Sequence, residues 1–284
     1  MKVLVTGAGG QLARALAAQA PAHCTVSALT RAELDIADAR AVAAAVDALR
    51  PEIIVNAAAY TAVDRAESEP DRAFRVNRDG TARLAEAAAR IGARFVHFST
   101  DYVFDGRSGL AYRPEDSPAP LNVYGTSKLA GEEAVRASGA RALIVRSAWL
   151  YSTHGANFLT TMLRMLNARR EVRVVADQVG TPTSTLSLAG AAWGLVEANA
   201  SGLVHFTDAG IASWYDFAEA IAAEGSTLNR VPRGVRVVPI ATADYPTAGR
   251  RPAFSALDSS TAWGVLGAPA PYWRTSLRLV LESL

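Results

Sequence analysis

Between residues 2 and 146 the chain alternates short apolar runs with longer helical stretches at a regular interval, and few folds accommodate that rhythm. Residues 2–6, 25–29, 53–56, 94–98 and 142–146 read as strands, and residues 11–19, 39–49, 71–91 and 124–137 between them read as helices. Strands separated by a helix form βαβ units and a parallel sheet. Val3-Leu4-Val5 and Ile53-Ile54-Val55 are apolar at every position, so helices must cover both sheet faces. The expected fold is α/β with a doubly wound parallel sheet. Beyond Trp149 the rhythm loosens: helical stretches at 157–166, 186–197, 214–223 and 272–281 are separated by Pro- and Gly-rich segments, as in a smaller mixed α/β lobe. The expected division gives 1–149 and about 183–200 to the sheet domain, and about 150–182 and 201–284 to the second lobe.

The first strand runs straight into Gly7-Ala-Gly-Gly10-Gln-Leu-Ala13, which opens the first helix. In a Rossmann-type fold this turn holds a dinucleotide pyrophosphate against free N–H groups and the positive end of a helix dipole. Gly7 permits the tight turn, Gly10 lets the backbone approach phosphate, and Ala13 is the next smallest residue where the third glycine would stand. The pyrophosphate is expected on Gly7, Gly10, Gln11 and Leu12. Strand two ends without the acid that commonly binds an adenosine ribose. Ser27-Ala-Leu-Thr30-Arg31 offers a hydroxyl and a guanidinium instead, which suit a 2′-phosphate and favour NADPH while leaving NADH open. Asp35 and Ile36 follow where an adenine edge would lie; otherwise Asp35 caps the next helix.

Only two of the 29 cations are lysines, Lys2 and Lys128, and Lys128 lies four residues past Tyr124 in Tyr124-Gly-Thr-Ser-Lys128. On a helix this spacing puts phenol and ammonium on one face. A cation there is expected to lower the tyrosine's pKa toward working pH and to hold the nicotinamide ribose hydroxyls. Strand four ends in His97-Phe-Ser-Thr100-Asp-Tyr102, at the sheet edge where open α/β folds bind ligands, which makes the Thr100 hydroxyl a second candidate for orienting a carbonyl or the tyrosine.

Cations and acids nearly balance, 29 − 27 = +2, without a basic block, so nucleic acid is not an expected partner. A lone Cys24 excludes an internal disulfide and fits a reducing compartment. The N-terminus enters a strand at once, leaving no room for a signal peptide, and the longest uncharged run, 178–196, is interrupted by Gln, Gly and Pro. A cytoplasmic protein with no membrane partner is expected.

These features resemble the extended short-chain dehydrogenases/reductases and, within them, the dTDP-4-dehydrorhamnose reductase family, nearly from end to end. The resemblance is carried by Gly7-Ala-Gly-Gly10-Gln-Leu, Leu34-Asp-Ile, Asn56-Ala-Ala-Ala-Tyr-Thr-Ala-Val-Asp64, Ser99-Thr-Asp-Tyr-Val-Phe-Asp-Gly106, Tyr124-Gly-Thr-Ser-Lys128 and Arg146-Ser-Ala-Trp149. It continues in Asn157-Phe158, Asp177-Gln-Val-Gly-Thr-Pro-Thr183, Ser213-Trp-Tyr-Asp-Phe217 and Arg251-Pro252. It implies reduction of the C4 ketone of dTDP-4-dehydro-L-rhamnose to dTDP-L-rhamnose, with Thr100, Tyr124 and Lys128 as the catalytic set. It also implies that Ala58, Ala59 and Tyr60 lie along the cofactor, and that Thr61, Val63, Thr100, Asp101, Tyr102 and Trp149 contact the sugar nucleotide. Taken without the family, Trp149 at a strand end reads as core. Some members form Mg²⁺-bridged dimers through acids that include a glutamate early in the first helix. Residues 12–19 contain no acid, so no metal is expected here and a homodimer is left open. Two other readings of the same residues are an epimerase or dehydratase with tightly held NAD, and a non-catalytic partner of the kind that binds methionine adenosyltransferase.

Overall fold

The computed structural model describes all 284 residues. Its chain order begins β1 (Lys2–Thr6), α1 (Gln11–Ala18), β2 (Thr25–Leu29), α2 (Ala39–Leu49), β3 (Ile53–Asn56), α3 (Val63–Ser68), α4 (Pro70–Phe74), α5 (Thr81–Ile91), β4 (Arg94–Thr100), α6 (Val123–Ala137) and β5 (Arg141–Ser147). It continues β6 (Leu150–Tyr151), α7 (Phe158–Ala168), β7 (Glu171–Val175), β8 (Val179–Gly180), β9 (Thr183–Ser184), α8 (Thr185–Glu197), β10 (Gly202–His205), β11 (Ala212–Ser213), α9 (Trp214–Thr227), β12 (Arg236–Ile240), α10 (Ser260–Leu266) and α11 (Trp273–Glu282).

Six strands form one sheet in the order β10-β5-β4-β3-β1-β2, every neighbouring pair parallel. Alternate side chains of each strand enter different cores. Val3, Val5, Ile53, Val55, Val96 and Phe98 pack with Leu16 of α1 and Leu188 and Leu195 of α8. Leu4, Ile54 and Phe95 pack on the opposite face with Val42 and Val46 of α2 and Leu84 of α5. This is the two-sided burial that the unbroken apolar runs require.

Two expectations change. Residues 201–284 are expected in the second lobe, yet β10 pairs with β5 and extends the main sheet. It caps an edge that would otherwise leave the backbone groups of β5 unpaired. The single helix expected over 71–91 is instead α4, a π-helical segment Arg75–Gly80 and α5, preceded by the unanticipated α3. A side-chain clamp explains the widened turn: Asn77 Oδ1 accepts from Tyr60 N at 2.8 Å while its Nδ2 donates to Tyr60 O at 3.0 Å and Ser127 Oγ at 2.9 Å. π-bulges of this kind commonly mark functional sites.

The second lobe holds three two-stranded pairs, β6 with β9, β7 with β12 and β8 with β11. They surround a separate core in which Leu159 of α7, Phe217 of α9 and Leu277 of α11 are fully buried.

Candidate active site

The order of the sheet reverses between β1 and β3, and open α/β sheets bind ligands at the carboxyl end of such a switch point. There the β1–α1 loop meets the segment after β3. Gly7 has φ +74°, and a Cβ on it would lie 2.8 Å from Ala58 Cα and 2.9 Å from Ala58 N, so the turn is closed to any other residue. Gly10, extended at the N-cap of α1, offers no side chain to the first amides, which are left for an anion. The Gln11 side chain is occupied elsewhere: its Oε1 accepts from Ser152 Oγ and Asn157 Nδ2, each at 2.8 Å, and ties α1 to the second lobe. At the loop Gln11 therefore offers its backbone N–H.

Two hollows share Gly9, Gly10 and Ala57–Ala59, so one groove crosses the switch point. The first, about 280 Å³, is lined by Gly7, Arg31, Asp35, Ile36 and Tyr60 as expected for an adenosine end. Arg31 Nη2 lies 3.4 Å from Asp35 Oδ2, exposed and free to reorient. The cap of α2 is Asp38, which accepts from Arg40 N and Ala41 N, while Asp35 accepts from Ala37 N in its own turn. The Tyr60 hydroxyl donates to Glu69 Oε2 at 3.0 Å.

The second hollow, about 440 Å³, brings together Thr61, Thr100, Asp101, Tyr124, Lys128 and Trp149 with Leu12 of α1. Val63 and Tyr102 are not part of its lining. Val63 Cγ1 faces Gly249 in the loop before α10, and the Tyr102 ring packs edge-on against Tyr124 at 5.7 Å. Trp149 takes a left-handed backbone conformation (φ +47°) and stacks on Trp214 of α9 with centroids 3.4 Å apart. It is a wall residue, and the core reading gives way.

Helix α6 carries the pair. Asn122 caps it by accepting from Gly125 N at 2.7 Å. Gly125 lies against Tyr102 O and Gly131 against Asn77 O with no room for a Cβ at either, which seats the helix close to the sheet edge. Lys128 is 3 % exposed, and its Nζ donates to Phe98 O at 2.6 Å. The expected lowering of the tyrosine pKa by this lysine does not appear. Burial pushes the Tyr124 phenol up to about 12, with the Thr100 hydroxyl pulling down and Asp101 pushing further up. Burial likewise brings Lys128 down to about 8, against the pull of Glu132 one turn on. Desolvation outweighs pairing because the ammonium is anchored to the strand rather than to the phenol.

Thr100 Oγ1 donates to Asp101 Oδ1 at 3.1 Å and accepts from Tyr102 N at 3.2 Å, which fixes the hydroxyl in the hollow that Tyr124 also lines. Asp101 is 2 % exposed, and its Oδ2 is without a partner. Burial raises it to about 6, against the Ser255 and Thr100 hydroxyls. The Ser147 hydroxyl, buried and unpaired at the end of β5, also lines this hollow. Unpaired polar groups facing a cavity fit a polar ligand.

Asn56, Asn77, His97 and Ser147 were not anticipated. For Asn56, His97 and Ser147 the one signal is a polar residue inside a strand that should be wholly buried; Asn77, amid Arg75-Val-Asn-Arg-Asp, carries none.

A dinucleotide groove at the switch point, with a threonine, tyrosine and lysine converging beside it, defines an oxidoreductase of the short-chain dehydrogenase/reductase class. Residues 1–284 match the family described as "RmlD substrate binding domain", and the chain belongs to that family. It is 42 % identical to a dTDP-4-dehydrorhamnose reductase of Sinorhizobium fredii, covering 100 % of this chain and 98 % of that protein. The crystal structure of a Bacillus anthracis dTDP-4-dehydrorhamnose reductase in complex with NADP superposes with a TM-score of 0.94 at 35 % identity, covering 100 % of this chain and 99 % of that one. A Thermus thermophilus UDP-glucose 4-epimerase structure with NAD shares the fold at a TM-score of 0.85 and 20 % identity, with 99 % and 98 % coverage. No helix is long and apolar enough to cross a membrane.

Proposed function

We propose that the chain reduces the C4 ketone of dTDP-4-dehydro-L-rhamnose to dTDP-L-rhamnose with NADPH. The observation that carries this reading is the convergence of Thr100, Tyr124 and Lys128 in one hollow that opens onto the glycine loop. NADPH, when bound, supplies the hydride. The free amides of α1 and the closed Gly7 turn would hold the pyrophosphate, and Arg31, exposed beside Asp35, would pair with the 2′-phosphate. Lys128, anchored on Phe98 O, would hold the ribose hydroxyls with its remaining N–H groups.

Tyr124 enters the reaction protonated, because its pKa stands near 12. That suits reduction: the ketone oxygen becomes an alkoxide as the hydride arrives, a far stronger base than a phenolate, and takes the proton without a prior ionisation step. Thr100, fixed by Asp101 and Tyr102 N, keeps its hydroxyl in the hollow beside the phenol and helps to aim it. Trp149 bounds the sugar's side of the hollow. The test mixes protein, NADPH and the keto sugar nucleotide and follows cofactor absorbance. Wild type oxidises NADPH and Tyr124→Phe does not. Full activity in Tyr124→Phe, or protein that purifies with stoichiometric NAD and turns over without net oxidation, rejects the reading.

A further inference from the structure

Beneath the catalytic lysine lies a buried polar chain that the reaction itself does not use. Asn56 Oδ1 accepts from the Ala58 backbone N–H at 3.2 Å, and since a backbone nitrogen only donates, this fixes which end of the amide is oxygen. Asn56 Nδ2 must then donate to Thr81 Oγ1 and to His97 Nδ1, each at 3.2 Å. His97 is fully buried on β4, where burial and the nearby lysine hold it neutral. A neutral imidazole whose Nδ1 accepts carries its one hydrogen on Nε2. That N–H points at Lys128 Nζ, 3.4 Å away.

An ammonium has three donors and no lone pair. Lys128 in that form finds one protein acceptor, Phe98 O, and meets a second donor head-on at His97. The one acid that pulls on it makes no hydrogen bond to it. Glu132, the acid facing it one turn along α6, is bound through both oxygens by Arg146 at 2.8 and 2.7 Å and also by Arg136 at 3.0 Å. Tyr124, one turn the other way, is protonated. An amine form fits the same surroundings: it donates to Phe98 O and accepts from His97. A bound ribose would change the count, because its hydroxyls add acceptors that the protein does not supply.

We propose that His97 is a positioning residue that favours the amine form of Lys128 in the free enzyme, so that cofactor binding is coupled to uptake of a proton at this lysine. This rests on the NADPH reading above. The lysine's depressed proton affinity, near 8, agrees with the geometry and sets the range in which the uptake is seen.

The test is calorimetric titration of NADPH into the intact protein, in pairs of buffers that differ in ionisation heat, between pH 7.5 and 9. Wild type takes up about a quarter of a proton per cofactor at pH 7.5 and about nine-tenths at pH 9, as linkage requires for a group near 8 that is charged in the complex. In His97→Gln the amide oxygen can turn to the ammonium and accept from it, and uptake at pH 9 falls at least threefold. A role confined to packing leaves the proton count unmoved in this variant. If His97→Gln does not fold, the wild-type titration still decides, since uptake that is zero or independent of pH overturns the proposal, as does undiminished uptake in a folded His97→Gln. Wild type that fails to bind NADPH refutes the cofactor reading instead, and binding without uptake refutes only the inference.

Discussion

Replacing Gly7 with alanine probes the switch point directly, and the neighbouring glycines supply the controls. At φ +74° an alanine pays about 1–2 kcal/mol for the left-handed backbone alone. Its Cβ would also lie 2.8 Å from Ala58 Cα, 2.9 Å from Ala58 N and 3.1 Å from Ala57 C, all backbone atoms that cannot rotate away. Forcing such a contact costs a further about 1–3 kcal/mol. The loss of stability is therefore about 2–5 kcal/mol, and the two loops that hold the cofactor must separate. Gly9→Ala, with nothing within 4 Å of the added Cβ, is expected to change stability by less than about 0.5 kcal/mol. Gly10→Ala, 3.1 Å from Gly7 O, falls between. Urea unfolding measures stability, and NADPH fluorescence titration measures affinity, which falls at least tenfold for Gly7→Ala, about 1.4 kcal/mol. Gly7→Ala within 0.5 kcal/mol of wild type, or no more affected than Gly9→Ala, refutes the packing argument.

Three other perturbations follow from the site. Asp101 is raised from 3.8 to about 6 in the fold, so the native state holds its proton more tightly than the unfolded chain. The resulting penalty is complete above pH 6, at most about 3 kcal/mol, and vanishes below about pH 4, so Asp101→Asn gains stability at pH 7 and not at pH 3.5 while losing turnover; melting curves at the two pH values check it. Glu132→Gln leaves Arg146, 1 % exposed, without a charge partner and costs about 3–5 kcal/mol, whereas the double change with Arg146→Met costs markedly less; a double-mutant cycle by urea unfolding measures both. Tyr124→Phe removes the proton donor and lowers kcat about 10²–10⁴-fold with a smaller change in KM, read from initial rates of NADPH oxidation.

The sheet was legible because its signal is local: the five apolar runs name β1 to β5 to within two residues, and alternation with helices dictates parallel pairing. β10 was not, since Gly202-Leu-Val-His is four residues long and owes its place to the open edge of β5 rather than to its own pattern. The interrupted 71–91 helix escaped notice for the same reason, because the π turn exists to let Asn77 grip Tyr60, a contact between residues 17 apart. At the site, the i, i+4 spacing placed Tyr124 and Lys128 on one face, but their proton affinities depend on depth. Spacing carries no measure of burial, and so the expected acidic tyrosine is instead a strongly protonated one. His97 looked like part of a strand because nothing in its neighbours along the chain reveals that Asn56 and Lys128 flank its ring.

The central claim, proton transfer from Tyr124 as a hydride reaches C4, is tested most directly by turnover with NADPH deuterated at nicotinamide C4 and NMR of the product. The account predicts deuterium at C4 of a sugar with the L-rhamno configuration, formed by wild type and not by Tyr124→Phe. Product without label at C4, or the C4 epimer, contradicts it.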